Sequence, residues 1–263
     1  MAGNTNLIAV KDRGRLNGFS PLWRKENHSL WGTRSWLIQI IVWTAIIDGM
    51  LALITFMDSG ESLEQTALMV YFLFAAMIPA CAAVIFGHET IIDERKMGTA
   101  AWVLSKPVSR AAFVLSKLSA DALGMLATQV LVEGVVAYII YKITTGISLS
   151  IPGFLAALGL VFLFLLFFLA LTLMLGTLFR SRGPVIGIPL GFISASYLTV
   201  LIPWLRELMP ASLVMNLAPE QASLAESLAR GLPLPDVTPI IATVILIVIF
   251  ILIALWRFQR EEF

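Results

Sequence analysis

Charge is scarce in these 263 residues: only 13% are Asp, Glu, Lys or Arg, against about a quarter in soluble domains. Cysteine is scarcer still. The single Cys81 rules out an intrachain disulfide, and its place in an apolar run gives the thiol a packing role. Histidine occurs twice, as His28 and His88. "HETII" at 88–92 has Ile92 where a zinc-protease helix needs its second histidine, so no metal site is expected. No Gly-Lys pair occurs, so the chain has no Walker A phosphate loop and cannot hydrolyse ATP by that route. Nothing resembles a nucleophile elbow. The 18 basic residues nearly balance the 17 acidic ones without a concentrated basic face, which argues against a nucleic-acid partner. The first 35 residues lack a continuous hydrophobic core and carry six basic residues, so they are not expected to be a cleaved signal peptide. Neither an internal repeat nor a matched pair of broken helices, the mark of many secondary transporters, is present.

What the sequence has in abundance is apolar length. It is 59% hydrophobic, and six segments reach the ~20 residues a helix needs to cross the hydrocarbon layer. They fall at about 36–57, 66–88, 118–141, 153–179, 184–203 and 239–256. The expected fold is therefore an all-α integral membrane protein: a segment 1–35, a six-helix domain 36–256 and a tail 257–263. An even number of spans puts both termini on one side. Lys and Arg mark the cytoplasmic loops. Lys11, Arg13, Arg15, Arg24, Lys25, Arg34, Arg95, Lys96, Lys106, Arg110, Lys117, Arg180, Arg182, Arg257 and Arg260 fall on one face; Lys142, Arg206 and Arg230 fall on the other. Both termini are thus expected in the cytoplasm.

Before the first span, "FSPLWRKENHSLWGTRSW" opens on a Ser20-Pro21 start signal and sets Leu22, Trp23, Leu30 and Trp31 among polar residues. This suits a helix in the cytoplasmic interface, although Glu26 and Asn27 interrupt its apolar face. Across the membrane, 204–238 reads as short outer helices. In "PEQASLAESLARG", Pro219 is expected to open a helix, with Leu224 and Leu228 on one face and Gly231 stopping it. That helix is either a lid over an outer gate or a decoration on the headgroups.

Three acids fall within spans: Asp48, Asp121 and Glu133. A charge near the bilayer centre costs at least ~2.5 kcal/mol, so such groups usually face protein or water. Asp121 lies close enough to a span end to be a solvated helix start. Asp48 and Glu133 lie deeper, where they line a cavity, bind a cation, or serve as polar glue between helices. Gly183, Gly187 and Gly191 recur every four residues near Pro189, a face for close helix pairing either between two chains or within one.

The loop "ERKMGTAAWVLSKPVSR", 94–110, holds a bare apolar run between charged ends. Gly98 can break the preceding helix, Thr99 is a plausible N-cap, and Pro107 limits the new helix to about 100–105. Ser109 can cap the next one. An apolar patch rimmed by charge marks a protein contact; the alternative is that Trp102 tucks against the N-terminal helix or the bilayer.

"ERKMGTAAWVLSKPVSRAAFVLSK" resembles the signature region of the ATP-binding-cassette type-2 permeases, the type V exporters. The matches are Glu94, Arg95, Gly98, Thr99, Pro107, Val108, Ser109, Arg110 and Lys117; "WRKE" at 23–26 is also similar. The resemblance implies that 100–105 is a coupling helix seated in a separate ABC ATPase, which would leave Trp102 and Val103 without local cover. It implies that ATP and Mg bind that partner, with none held by this chain, and that a second permease copy or a paralogue completes the pathway in a prokaryotic plasma membrane. Rival expectations are transmission of motion to an extracytoplasmic assembly partner, an ATPase-independent ion carrier or channel using Asp48 and Glu133, and a scaffold.

Overall fold

The computed structural model describes residues 14, 16–57, 63–87, 92, 94, 99–196, 202–217, 222–234 and 236–260. Among these, every regular element is helical. Helix α1 spans Phe19–Trp31. Helices α2 (Ser35–Met57), α3 (Leu63–Gly87), α5 (Arg110–Thr145), α6 (Ile151–Leu178) and α9 (Thr238–Gln259) are each long and apolar enough to cross a membrane. Between them lie α4 (Thr99–Leu104), α7 (Arg182–Ser196) and α8 (Leu224–Ala229). The expected span 184–203 is described only through Ser196; 197–201 lie outside the described residues.

Helix α6 is the axis. Its sequence is apolar on every side, and a helix of that kind is stable only when surrounded. It packs against α3, α5, α7, α8 and α9. Phe154 meets Tyr71 and Phe72 of α3 and Tyr138 of α5, and Phe167 meets Phe192 of α7 and Phe250 of α9. Such pairs add about 0.5–1.5 kcal/mol each beyond the area they bury. Helix α9 is as apolar as α6 yet mostly exposed, with Ile241, Val244, Ile245, Val248, Ile249 and Leu252 facing outward. Composition alone does not separate the centre of the bundle from its rim.

Helix α5 runs well past the expected 118–141. Nothing in its sequence stops it before Ser109, whose hydroxyl accepts from Ala112 N, so its first turns project beyond the apolar span. Both α2 and α5 contain a π-helical turn, at Thr44–Asp48 and Leu126–Leu131. No proline or glycine within either turn signals it.

The outer connection holds short helices, as expected, at Pro203–Arg206 and Leu224–Ala229, but the second has a different start. Helix α8 begins at Leu224 with Ser223 as N-cap, rather than at Pro219, which lies outside the described residues. It neither lies flat on a surface nor hangs free. Leu224, Ala225, Glu226, Ser227 and Ala229 are buried against α6. Glu226 accepts from Asn216 Nδ2 at 3.2 Å and Arg230 Nη1 at 3.5 Å, and Arg230 also reaches Glu64 at 3.8 Å. Gly231, at φ +70°, stops it as expected.

Candidate functional site

Helix α4 sits beside α1 at one end of the bundle and presents two different faces. Trp102 is 63% exposed, with Lys106 Nζ over its ring at 3.6 Å, whereas Val103 is buried at 8%. The expectation that both lack local cover is therefore corrected: Val103 anchors the helix to its own subunit, and Trp102 points away. Thr99 is the first described residue of α4, and its hydroxyl donates back to the Glu94 carbonyl at 3.0 Å, tying α4 to the segment before it. Arg95 and Gly98 lie outside the described residues.

The turn after α4 is clasped by the segment before α1. Asn17 Nδ2 donates to the Pro107 carbonyl at 2.8 Å, and Ser109 N donates to the Asn17 carbonyl at 2.9 Å. Gly18, at φ +84°, lies so close to Val108 that a Cβ there would approach it to 2.8 Å. Helix α1 then packs along α5, where a Cβ on Gly124 would meet Leu30 at 2.7 Å. This helix is docked on protein.

One buried cation holds these parts together. Lys117 of α5, 3% exposed, donates to Glu94 Oε1 at 2.8 Å and to Glu26 Oε1 of α1 at 3.1 Å. Lys25 adds a second positive charge, 3.7 Å from Glu26 and 3.9 Å from Glu94. Two cations thus meet two anions. Stripping water from Lys117 costs several kcal/mol, and the two carboxylates offset it; neither would suffice alone at this burial. Arg110 works elsewhere in the same end: its Nη1 donates to the Gln259 carbonyl at 2.6 Å and the Phe258 carbonyl at 3.4 Å, at the C-terminus of α9 where a cation is favoured. Phe113 stacks on Phe258 with ring centres 5.3 Å apart.

Beside this knot a cavity of about 310 Å³ opens, lined among others by Glu26, Gln39, Asp121 and Gln129. Farther along α2 and α5, polar rungs join the two helices. Thr128 Oγ1 donates to Gln39 Oε1 at 3.2 Å, and Thr44 Oγ1 donates to Glu133 Oε1 at 3.1 Å. Thr128 and Glu133 are five residues apart, a spacing that shares a face only because the π turn of α5 lies between them. Asp48, on the π turn of α2, faces Glu133.

A family model described as ABC-2 family transporter protein matches residues 44–263. The chain belongs to this family. It is accordingly a multi-pass membrane protein of an ABC transporter, a transport component rather than a catalyst, and such components work in general with an ABC ATPase. No curated protein matches it.

Within this ABC-2 family member, Lys117, Glu94, Thr99, Trp102, Val103, Pro107 and Arg110 gather at one end, as a single signature would. Asp48 and Glu133 come together in the middle. The glycines do neither. A Cβ on Gly183, Gly187 or Gly191 would meet nothing within 4 Å, so this face of α7 packs against no part of its own subunit among the described residues. Sequence reasoning passed over Glu26, which looked like a flaw in an amphipathic helix. A carboxylate on the apolar face of a helix that precedes a lysine-bearing span was the available signal.

Proposed function

We propose that this chain is the membrane subunit of an ATP-driven exporter, with α4 as its coupling helix and the α1 end facing the cytoplasm. The observation that carries the reading is the exposure of Trp102 on a helix pinned by Val103 and braced through Glu94 and Lys117 to α1 and α5. A large aromatic projecting from a rigid mount supplies contact area at little entropy cost, which is the character of a binding hot spot. The partner's motion on binding ATP and Mg would enter at Trp102. The mount would pass it through Glu94 and Lys117 to α5, and through Glu26 to α1.

A ligand moves such an equilibrium only by its differential affinity for two arrangements, so the mount must stay rigid while the helices rearrange. Six spans with both termini cytoplasmic form half of a pathway. The open glycine face of α7 supports a second permease copy or paralogue as the other half, where small residues let backbones approach closely. The setting is a prokaryotic plasma membrane.

Co-purification of the full chain with the ABC ATPase encoded beside it tests this. Trp102→Ala should weaken the complex by about 2 kcal/mol, roughly 30-fold, at unchanged melting temperature. Val103→Ala should do the converse, lowering stability by about 1–2 kcal/mol through the cavity it leaves. Full retention of the ATPase by Trp102→Ala would refute the coupling role. Vesicles that take up no candidate solute while a partner on the opposite face stays bound would favour transmission of motion to an extracytoplasmic protein.

A further inference from the structure

Asp48 and Glu133 meet deep in the bundle, 1% and 0% exposed. Glu133 Oε1 accepts from Thr44, but Glu133 Oε2 and both oxygens of Asp48 have no hydrogen-bond donor. The third wall is Tyr71 of α3, buried and within electrostatic reach of both acids. No lysine, arginine or histidine among the described residues acts on either carboxyl. Asp48 is the fourteenth of the 23 residues of α2 and the tenth from its end, at ~1.5 Å per residue well inside the span from both sides.

Two carboxylates cannot both remain ionised there. Repulsion between adjacent unit charges is about 4 kcal/mol at an effective dielectric of 20, on top of several kcal/mol for desolvating each. A proton removes one charge and also supplies what the geometry lacks, since a protonated carboxyl donates where an ionised one only accepts. A metal ion fits less well. Three free oxygens on two side chains fall far short of the six or more that Mg or Ca takes, and no cluster of three His, Cys, Asp or Glu occurs among the described residues. The cavity lining does not include the pair itself. Of the α5 residues that line it, Gln129 is the nearest to Glu133 in sequence, four residues before it, and its buried Oε1 has no donor.

We propose that Asp48 and Glu133 form an intramembrane proton-binding pair that shares one proton at neutral pH and exchanges it with water through the cavity ending at Gln129. Loading moves one proton from a hydronium ion in the cavity to a carboxylate oxygen: the hydronium O–H bond breaks, the carboxyl O–H bond forms, neutral water is left and the pair becomes less negative by one charge; unloading reverses each change. The pair is independent of the ATPase reading and stands or falls without it.

Infrared spectroscopy of the full chain in phosphatidylcholine nanodiscs reads it directly. At pH 7 a protonated-carboxyl carbonyl band should be present and should shift on transfer to heavy water. Asp48→Asn and Glu133→Gln should each shift or remove it and the double variant should abolish it, while Glu226→Gln, at the outer salt bridge, should leave it unchanged. Gln129→Leu should slow the heavy-water shift at least tenfold. Absence of the band in the unmodified chain, which requires no variant to fold, would overturn the proposal. So would its persistence in the double variant. Loss of the band on adding sodium or potassium chloride would overturn it in favour of a metal cation, and an unchanged exchange rate in Gln129→Leu would overturn the route.

Discussion

Two groups of buried acids lie along α5 less than five helical turns apart, and they are built on opposite terms. At its start, Glu26 and Glu94 enclose Lys117 with Lys25 beside them, so charge and hydrogen-bond donors are both supplied. At its middle, Asp48 and Glu133 have, among the described residues, one hydroxyl donor between them and no cation. Burial differs too: the Glu26 and Glu94 side chains are 20% and 15% exposed, while Asp48 and Glu133 are 1% and 0% exposed, so the deeper pair is the one with less support. A compensated cluster is fixed structure, and an uncompensated one needs something from outside the chain.

Lys117→Met should break the comparison most severely, costing about 3–5 kcal/mol by stranding two half-buried carboxylates. Detergent unfolding curves would measure it. Adding Glu26→Gln and Glu94→Gln to that variant should recover most of the loss, because replacing a whole buried ion cluster is often neutral. A triple variant as unstable as the single one would show that packing, not charge, holds this end. Thr44→Val removes the one hydroxyl that donates to Glu133 among the described residues and should cost about 1 kcal/mol in the same assay. Asp48→Asn should change stability by less than about 1 kcal/mol or raise it, since it deletes a charge that nothing offsets. A loss as large as that of Lys117→Met would erase the distinction between the two clusters. The smallest effect belongs to Lys25→Ala, at most a few tenths of a kcal/mol and diminishing further with salt, because its side chain is largely in water.

The apolar runs were legible because a helix in lipid must satisfy its own backbone and cover it with apolar side chains, which writes each span into consecutive residues. Five of the six runs carry such helices, and the sixth is described through Ser196. Ser109 as a cap and Gly231 as a stop were legible for the same local reason. Val103 was not, because a bare patch is indistinguishable in sequence from an inward anchor. Which side a six-residue helix turns to its own subunit depends on α1 and the segment before it, far away along the chain, which clasps the Pro107–Ser109 turn.

Local sequence therefore determined which stretches are helical, where several begin and end, and which acids would be expensive to bury. Only the tertiary structure decided that Glu26 pays for Lys117, that α6 rather than the equally apolar α9 forms the axis, and that Asp48 meets Glu133 without a counter-charge. Hydrophobicity and capping are properties of neighbours in the chain. Electrostatic compensation is a property of neighbours in space, and here those neighbours are some 85 to 91 residues apart.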